Sequence, residues 1–167
     1  GAGAFVLALC AVMGYWPFEK KGIESVSKED NNRSYDFPFR GGDKVKQLPD
    51  VFALFITLDK GYLGSDVLDV FDENGVMFGV KGIFHRYDID GEECLFSVAR
   101  SSHPGTFNPD TLVNESIKGL ALFMKPKLQA DPVCAFDAMV AFSKHVQSSL
   151  GGVIKDKDRR ELSQQDL

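Results

Sequence analysis

The sequence predicts an α+β fold in which an antiparallel sheet is covered by helices on one face only. Three observations predict it: a strand-like apolar run, two amphipathic helical segments, and a turn sequence between two β-prone arms. They occur in the order strand, helix, two strands joined by a turn, strand, helix and short strand. Because such a sheet leaves its second face uncovered, that face is where binding is expected.

The first half of this pattern begins with VFALFITL at 51–58, whose alternate residues lie on two faces of a strand. Residues 59–64 predict a turn, after which Ser65 caps a helix that ends at Gly75. The segment 76–100 predicts a hairpin, because two β-prone arms flank Asp-Ile-Asp-Gly. These turn residues tolerate the positive φ that a tight turn requires.

The second half begins with a loop at 104–110 and a strand at 119–125, which a proline ends. Asp131, followed by another proline, predicts the start of a second helix, and a glycine pair predicts its end. Residues 153–156 predict a short final strand. Residues 162–167 are typical of the beginning of a further helix.

The N-terminal residues 1–18 contain no charged side chain. As a helix they would measure about 27 Å, close to the ~30 Å hydrocarbon thickness of a bilayer. Tyr15 and Trp16 end the run with residue types that favour the membrane–water boundary. We therefore expect a transmembrane anchor that is truncated at its start. The alternatives are a signal peptide and a buried core helix, but neither a small-residue cleavage site nor an amphipathic pattern is present.

The linker predicted at 19–48 has seven basic and six acidic residues and is interrupted by glycine and proline. Lys20, Lys21 and Lys28 follow the apolar run, and the positive-inside rule then places the rest of the chain in the cytoplasm. A globular domain is expected at 49–167. It has twelve basic and eighteen acidic residues, so the acidity of the chain lies there.

Composition and motifs exclude several classes of function. A net charge of −5 and a pI near 5.2 disfavour a general nucleic-acid binder. Three widely spaced cysteines without a CxxC pair disfavour a disulfide scaffold or a structural zinc site. The chain has no GxSxG, Walker or GxGxxG motif, so we expect neither enzymatic activity nor a cofactor.

Metal binding is also not expected. Residues 88–93 resemble the start of a calcium loop, but the later ligands are missing and the segment is needed as a turn. His85, His103 and His145 lack the spacing of metal ligands and are expected to be hydrogen-bonded or exposed. Cys94, beside apolar residues, is expected to be a small core residue rather than a nucleophile.

Several short motifs occur in an order that points to a known family. They are Gly75-x-x-x-Gly79, Ile83-Phe84-His85-Arg86, the run 95–99, the run 104–109, Phe123-Met124, Gly151-Gly152-Val153 and Arg159-Arg160. Together they resemble the C-terminal domain of the ZipA family of bacterial cell-division proteins, over nearly all of 50–165. The resemblance implies a split β-α-β fold with a six-stranded antiparallel sheet. It also implies a single N-terminal membrane helix.

The resemblance further implies a function. Proteins of this family tether the FtsZ polymer to the inner membrane by binding the C-terminal tail of FtsZ in a shallow apolar groove on the open sheet face. Carried over residue by residue, the groove consists of Val51, Ala53, Lys81, Ile83, Ala99, Ser101, His103, Ala121, Phe123 and Arg159. Small residues are expected to form its floor, Phe123 a wall, and His103 and Arg159 its rim. Lys81 and Ile83 are expected to share one face of a strand.

Two departures from the family pattern bear on binding. Lys81 and Ser101 stand where family members often carry methionine, and the linker of about thirty residues is short for the family. Two other functions stay open: a membrane-anchored scaffold of the same fold for a different protein partner, and a single-strand RNA-binding module, which shares this architecture. No small-molecule substrate is expected.

Overall fold

A six-stranded antiparallel sheet organises the residues that the computed structural model describes, 48–163 and 165–167. In chain order the elements are β1 (Phe52–Leu63), α1 (Gly64–Glu73), β2 (Val76–Phe78), β3 (Phe84–Tyr87), β4 (Cys94–Arg100), β5 (Ser116–Met124), α2 (Pro132–Leu150) and β6 (Val153–Lys155). The order across the sheet is β2-β3-β4-β5-β1-β6. The predicted α+β class is confirmed. The anchor predicted at 1–18 and the linker predicted at 19–48, except for its last residue, lie outside the described residues.

The main core lies between the two helices and one face of the sheet. Phe71 of α1 and Phe142 of α2 have ring centroids 5.7 Å apart. Phe71 contacts Phe84 of β3 at 4.7 Å, and Phe142 contacts Phe96 of β4 at 5.5 Å. Because side chains alternate along a strand, the residues between these core positions point to the opposite face.

Local signals determine the ends of α2. The Asp131 carboxylate accepts a hydrogen bond from the backbone N–H of Cys134 at 2.9 Å, as predicted for the cap. The helix ends at Gly151, and Gly152 follows with a φ of 103°. A Cβ at position 152 would lie 2.8 Å from the Thr57 carbonyl oxygen, so the close approach of α2 to β1 requires glycine there.

The turn predicted at 59–64 and the cap at Ser65 are wrong. β1 continues to Leu63, with an irregularity between Thr57 and Tyr62, and runs directly into α1. The longer strand is possible because β5 starts at Ser116, earlier than expected, and pairs with Leu63. Ser65 lies inside α1, whose preceding residue makes no side-chain capping bond.

The hairpin predicted at 76–100 is confirmed in part. The Asp-Ile-Asp-Gly turn of this hairpin is present, and the Asp88 N–H donates to the Glu93 carbonyl at 2.8 Å. The first arm of the hairpin, however, contains β2, a 3₁₀ turn at Val80–Gly82 and β3.

The helix predicted to begin at 162–167 is wrong. No helix is present in the described residues of this segment, where the Leu162 N–H instead donates to the Ile154 carbonyl at 2.8 Å.

Candidate functional site

The sheet face opposite the helices, which we call the open face, aligns side chains from five strands. One row consists of Ala53, Phe123, Ser97, His85 and Met77, from β1, β5, β4, β3 and β2 respectively. Residues directly opposite each other in an antiparallel pair project to the same side and interact. The row is therefore a continuous surface built from residues that are far apart in the sequence.

An apolar cluster lies on this face, separate from the helix-side core. It consists of Ile83, Ala99 and Phe123, whose side chains are 3%, 0% and 5% exposed. The half-buried side chains of Val51 and Ala53 pack against it. The structure thus brings five of the ten predicted site residues into contact, with no residue of α1 or α2 among them, and we call this group the open-face cluster.

The floor predicted for the groove consists of small residues. Ala121 of β5 pairs with Ala99 of β4 on one side and with Phe55 of β1 on the other. Both alanines are buried. Ala99 and Ala121 are thus buried neighbours in adjacent strands, and their role as groove floor stays a prediction.

The expectation that Lys81 shares a strand with Ile83 is wrong. Lys81 lies in the 3₁₀ turn between β2 and β3, with a φ of 64°. The flanking glycines allow the chain to turn here, because Gly82 adopts a φ of 70° and Gly79 N–H donates to the Ile83 carbonyl at 2.9 Å. Lys81 is half-buried and lies at the end of the open face, two residues before Ile83, which leads into β3.

A buried polar pair, which the sequence reasoning did not assign to the site, supports this turn. His85 Nε2 lies 3.0 Å from the Val80 carbonyl oxygen, and His85 Nδ1 lies 2.8 Å from Ser97 Oγ. Burial lowers the pKa of His85, so its ring is neutral at pH 7. A carbonyl can only accept, so Nε2 carries the proton and Nδ1 accepts from the Ser97 hydroxyl. The sequence indicates this His85–Ser97 contact only through the corresponding positions of the two residues in facing β-prone arms.

Cys94 lies beside this pair, with its Sγ 3.6 Å from Ser97 Oγ. Burial raises the pKa of Cys94 to about 11, which keeps the sulfur protonated at neutral pH. The prediction that Cys94 is a small core residue is confirmed. It has no thiolate character that would make it a nucleophile.

Arg159 lies at the β1 side of the open face. Its guanidinium carbon is 3.9 Å from the ring centroid of Phe55, a cation–π contact, and Phe55 is 1% exposed. The segment after β6 positions Arg159 by returning alongside that strand, with Asp156 N–H donating to the Arg160 carbonyl at 2.9 Å. Arg159 thus packs on a side chain of the open face, and its role at the rim of a groove stays a prediction. The contribution of Phe55 to this rim depends on a contact between distant parts of the chain and was missed.

Ser101 and His103 differ in their relation to the face. Ser101 is half-buried directly after β4, and its N–H donates to the Gly119 carbonyl at 3.0 Å, which extends the pairing of β4 with β5 by one residue. His103 lies two residues further along, in an exposed turn, and the structure does not bring it into the open-face cluster.

The described residues provide neither a metal site nor a membrane-spanning helix. Residues 48–163 and 165–167 contain no group of three His, Cys, Asp or Glu side chains arranged to hold a metal ion. Asp88, in the segment that resembles a calcium loop, instead accepts hydrogen bonds from the N–H groups of Glu92 and Glu93 within the turn. Neither α1 nor α2, the helices of this part of the chain, is apolar over a length that could span a bilayer.

Comparison with known proteins identifies the family. Residues 50–167 match the family model described as "ZipA, C-terminal FtsZ-binding domain". A relative from Pseudomonas putida, named cell division protein ZipA, is 32% identical over 145 residues, which cover 83% of this chain and 49% of the relative. Relatives of the same name from Ectopseudomonas mendocina and Pseudomonas aeruginosa are 34% identical over 111 residues. These residues cover 65% of this chain, and 41% and 38% of the two relatives.

These matches place residues 50–167 in a family of cell-division proteins. The chain belongs to the ZipA family, because the family model covers well over half of its residues. The chain spans about half the length, or less, of the curated relatives that it matches.

Proposed function

We propose that this chain is a membrane-anchored cell-division adaptor whose open face binds the C-terminal tail of FtsZ and tethers the Z-ring to the bacterial inner membrane. The observation that carries the proposal is the open-face cluster, an apolar group on the sheet face that the helices do not cover. The family description supports FtsZ as the partner. In this proposal residues 1–18 are the anchor, and 49–167 is a cytoplasmic domain joined to it by the linker.

The shape of the face suits a short peptide. Two buried alanines, Ala99 and Ala121, form a floor on which apolar side chains of a tail can rest, between Phe123 on one side and Arg159 on the other. Each 100 Å² of apolar surface removed from water contributes about 2.5 kcal/mol, from which the cost of ordering the peptide is subtracted. We therefore expect a dissociation constant in the micromolar range or weaker for one tail.

Weak binding by one site is compatible with a firm tether. A filament presents many tails, and receptors anchored in one membrane lie in a common plane, so the second and later contacts form at high effective concentration. We therefore expect the polymer to be retained far more strongly than a single tail peptide.

The structure favours a protein partner over RNA. An RNA-binding sheet stacks bases on exposed aromatic rings. Of the two aromatic residues expected on this face, Phe55 is buried under the Arg159 guanidinium, so it offers no ring face to a base. The surplus of acidic residues in 49–167 also repels a phosphate backbone.

The direct test titrates a fluorescent synthetic FtsZ C-terminal tail with the full chain in detergent micelles, followed by anisotropy. We expect saturable binding with a micromolar or weaker dissociation constant. Absence of binding at millimolar concentration would refute the proposal, and nanomolar binding would refute the weak single site. Capture of partners from a detergent lysate then distinguishes FtsZ from a different protein on the same face.

A pair of variants locates the site. Ala53→Gln places a longer polar side chain against the open-face cluster, whereas Ala141→Gln makes the same change at an exposed position of α2, on the other side of the sheet. We expect Ala53→Gln to weaken tail binding about tenfold and Ala141→Gln to leave it unchanged. Equal effects of the two substitutions would move the site away from the open face.

The tether itself is tested with the full chain in lipid vesicles and FtsZ assembled with GTP. Polymers should float with the vesicles, and Ala53→Gln should reduce the amount recovered. Recovery of polymers that is insensitive to Ala53→Gln would show that membrane recruitment does not use this face.

A further inference from the structure

We propose that Lys81 determines specificity on the open face by pairing with a carboxylate of the bound peptide. The partner segment would then carry an Asp or Glu next to the apolar side chains that rest on the open-face cluster. This inference rests on the proposed function and adds the chemistry of the partner at the same face.

The first observation is that Lys81 is half-buried and has no partner. Within the described part of the chain its ammonium group makes neither an ion pair nor a hydrogen bond. Lys127 and Lys118 do have partners, since Lys127 pairs with Asp50 at 2.7 Å and Lys118 donates to the Asp59 carbonyl at 2.8 Å. In this part of the chain Lys144 and Lys155 are half-buried without one, so Lys81 is distinguished by its position two residues before Ile83 of the open-face cluster. A carboxylate that arrives with a ligand can therefore pair with the Lys81 ammonium group without displacing an internal partner.

The second observation is the backbone conformation. Among the residues that the structure describes, Lys81 and Arg159 are the two non-glycine residues with positive φ, both at 64°. Both are basic, and both border the open face, Lys81 beside Ile83 and Arg159 over Phe55. An L-residue in this conformation is strained and persists only where its surroundings hold it, and such positions concentrate at binding sites. Glycine would adopt this backbone conformation at a lower cost in free energy, so the presence of lysine at position 81 indicates a role for its side chain.

The third observation is that the turn is braced on several sides. His85 Nε2–H donates to the carbonyl of Val80, the residue before Lys81. The N–H of Phe107 donates to the carbonyl of Gly82, the residue after it, at 2.8 Å. The backbone of Lys81 is therefore fixed before a ligand arrives, which reduces the cost of ordering on binding. His85 is accordingly a positioning residue, and it acts through the turn.

These observations together specify the ligand. The open-face cluster supplies an apolar surface, and Lys81 supplies one cation at its edge that the protein leaves unneutralised. A peptide with apolar side chains and one suitably spaced carboxylate complements both features. A purely apolar peptide would leave Lys81 desolvated and unpaired, so it would be discriminated against.

The experiment is a double-mutant cycle with the full chain in detergent micelles. FtsZ tail peptides are prepared in which each Asp or Glu is replaced, one at a time, by its amide. One such replacement should weaken binding to the unaltered protein about fivefold and have little effect on binding to Lys81→Gln. Lys144→Gln, at a half-buried lysine of α2, serves as the matched control and should keep the full sensitivity. Tail binding without coupling between position 81 and any acid would overturn this inference alone.

A second variant separates a binding role from a structural one. Lys81→Gly relieves the positive φ, so the thermal midpoint should rise or stay constant while affinity for the acidic tail falls and its salt dependence decreases. Unchanged affinity, or a fall in thermal midpoint together with affinity, would contradict the inference. Failure of the unaltered protein to bind any tail would refute the proposed function and this inference with it.

Discussion

Replacing Phe123 with alanine removes the largest side chain of the open-face cluster. The ring is 5% exposed, and burial of a phenylalanine removes roughly 150–250 Å² from water. At ~25 cal/mol per Å², truncation of most of that surface costs about 3–4 kcal/mol of folding free energy, within the range observed for Phe→Ala. If the ring also anchors the tail, binding weakens by a further ~1 kcal/mol or more, which is about fivefold.

Two measurements separate these effects. Urea denaturation gives the free energy of unfolding, and the tail titration is then corrected for the folded fraction. Phe142→Ala is the matched control, because Phe142 is 4% exposed but lies in the helix-side core. It should lose comparable stability and keep the affinity of the unaltered protein per folded molecule.

The reasoning would be refuted if Phe123→Ala bound the tail, per folded molecule, as tightly as the unaltered protein. The open-face cluster would then be a second small core rather than a binding surface. A loss of affinity in Phe142→Ala as large as in Phe123→Ala would also refute it, because general loosening of the fold would explain both.

Further predictions concern the fold that holds this face. Gly152→Ala should lower the free energy of unfolding by more than ~2 kcal/mol, because φ is 103° and the Cβ would approach the Thr57 carbonyl; unchanged urea denaturation would contradict this. Burial lowers the pKa of His85 below 6.5, so the unfolded chain binds more protons. Stability should therefore fall as the pH drops from 7 through 6.5, and less so in His85→Gln. Asp131→Ala should lower the free energy of unfolding by about 1 kcal/mol in the same assay, because the Cys134 N–H loses its acceptor. An unchanged free energy of unfolding would show that this hydrogen bond contributes nothing.

Local features of the structure were predictable from the sequence. Asp131 and the glycine pair at 151–152 determine the ends of α2 because capping and left-handed backbone depend on a few neighbouring residues. The alternation along β1 correctly separated Ala53 from the core residues Leu54 and Ile56, since the period of a strand is fixed by its geometry.

Features that depend on pairing between distant segments were not predictable in this way. Residues 59–63 are polar enough to suggest a turn, but pairing with the start of β5 extends the strand. Lys81 follows β-prone residues, yet its turn is stabilised by His85 and Phe107, which lie later in the chain. Neither periodicity nor propensity contains that information.

The position of Phe55 shows the same limit for the candidate site. Strand alternation placed Phe55 on the open face, but only the return of the chain after β6 brings Arg159 over its ring. A residue expected to be an exposed aromatic is therefore buried. Burial of Phe55 under Arg159 removes a ring on which bases would stack and places a basic side chain at this edge.

The central place of β1 in the sheet has a mechanical consequence. β1 is the first element of the described chain and lies between β5 and β6, with its hydrogen bonds perpendicular to its length. A pull on the N-terminal end of β1 acts along the strand, so the bonds on both sides share the load and must break together. Peeling an edge strand would break them one after another at much lower force. Tension from a membrane tether attached at this end would therefore load the sheet along β1, the direction in which the sheet resists the highest force.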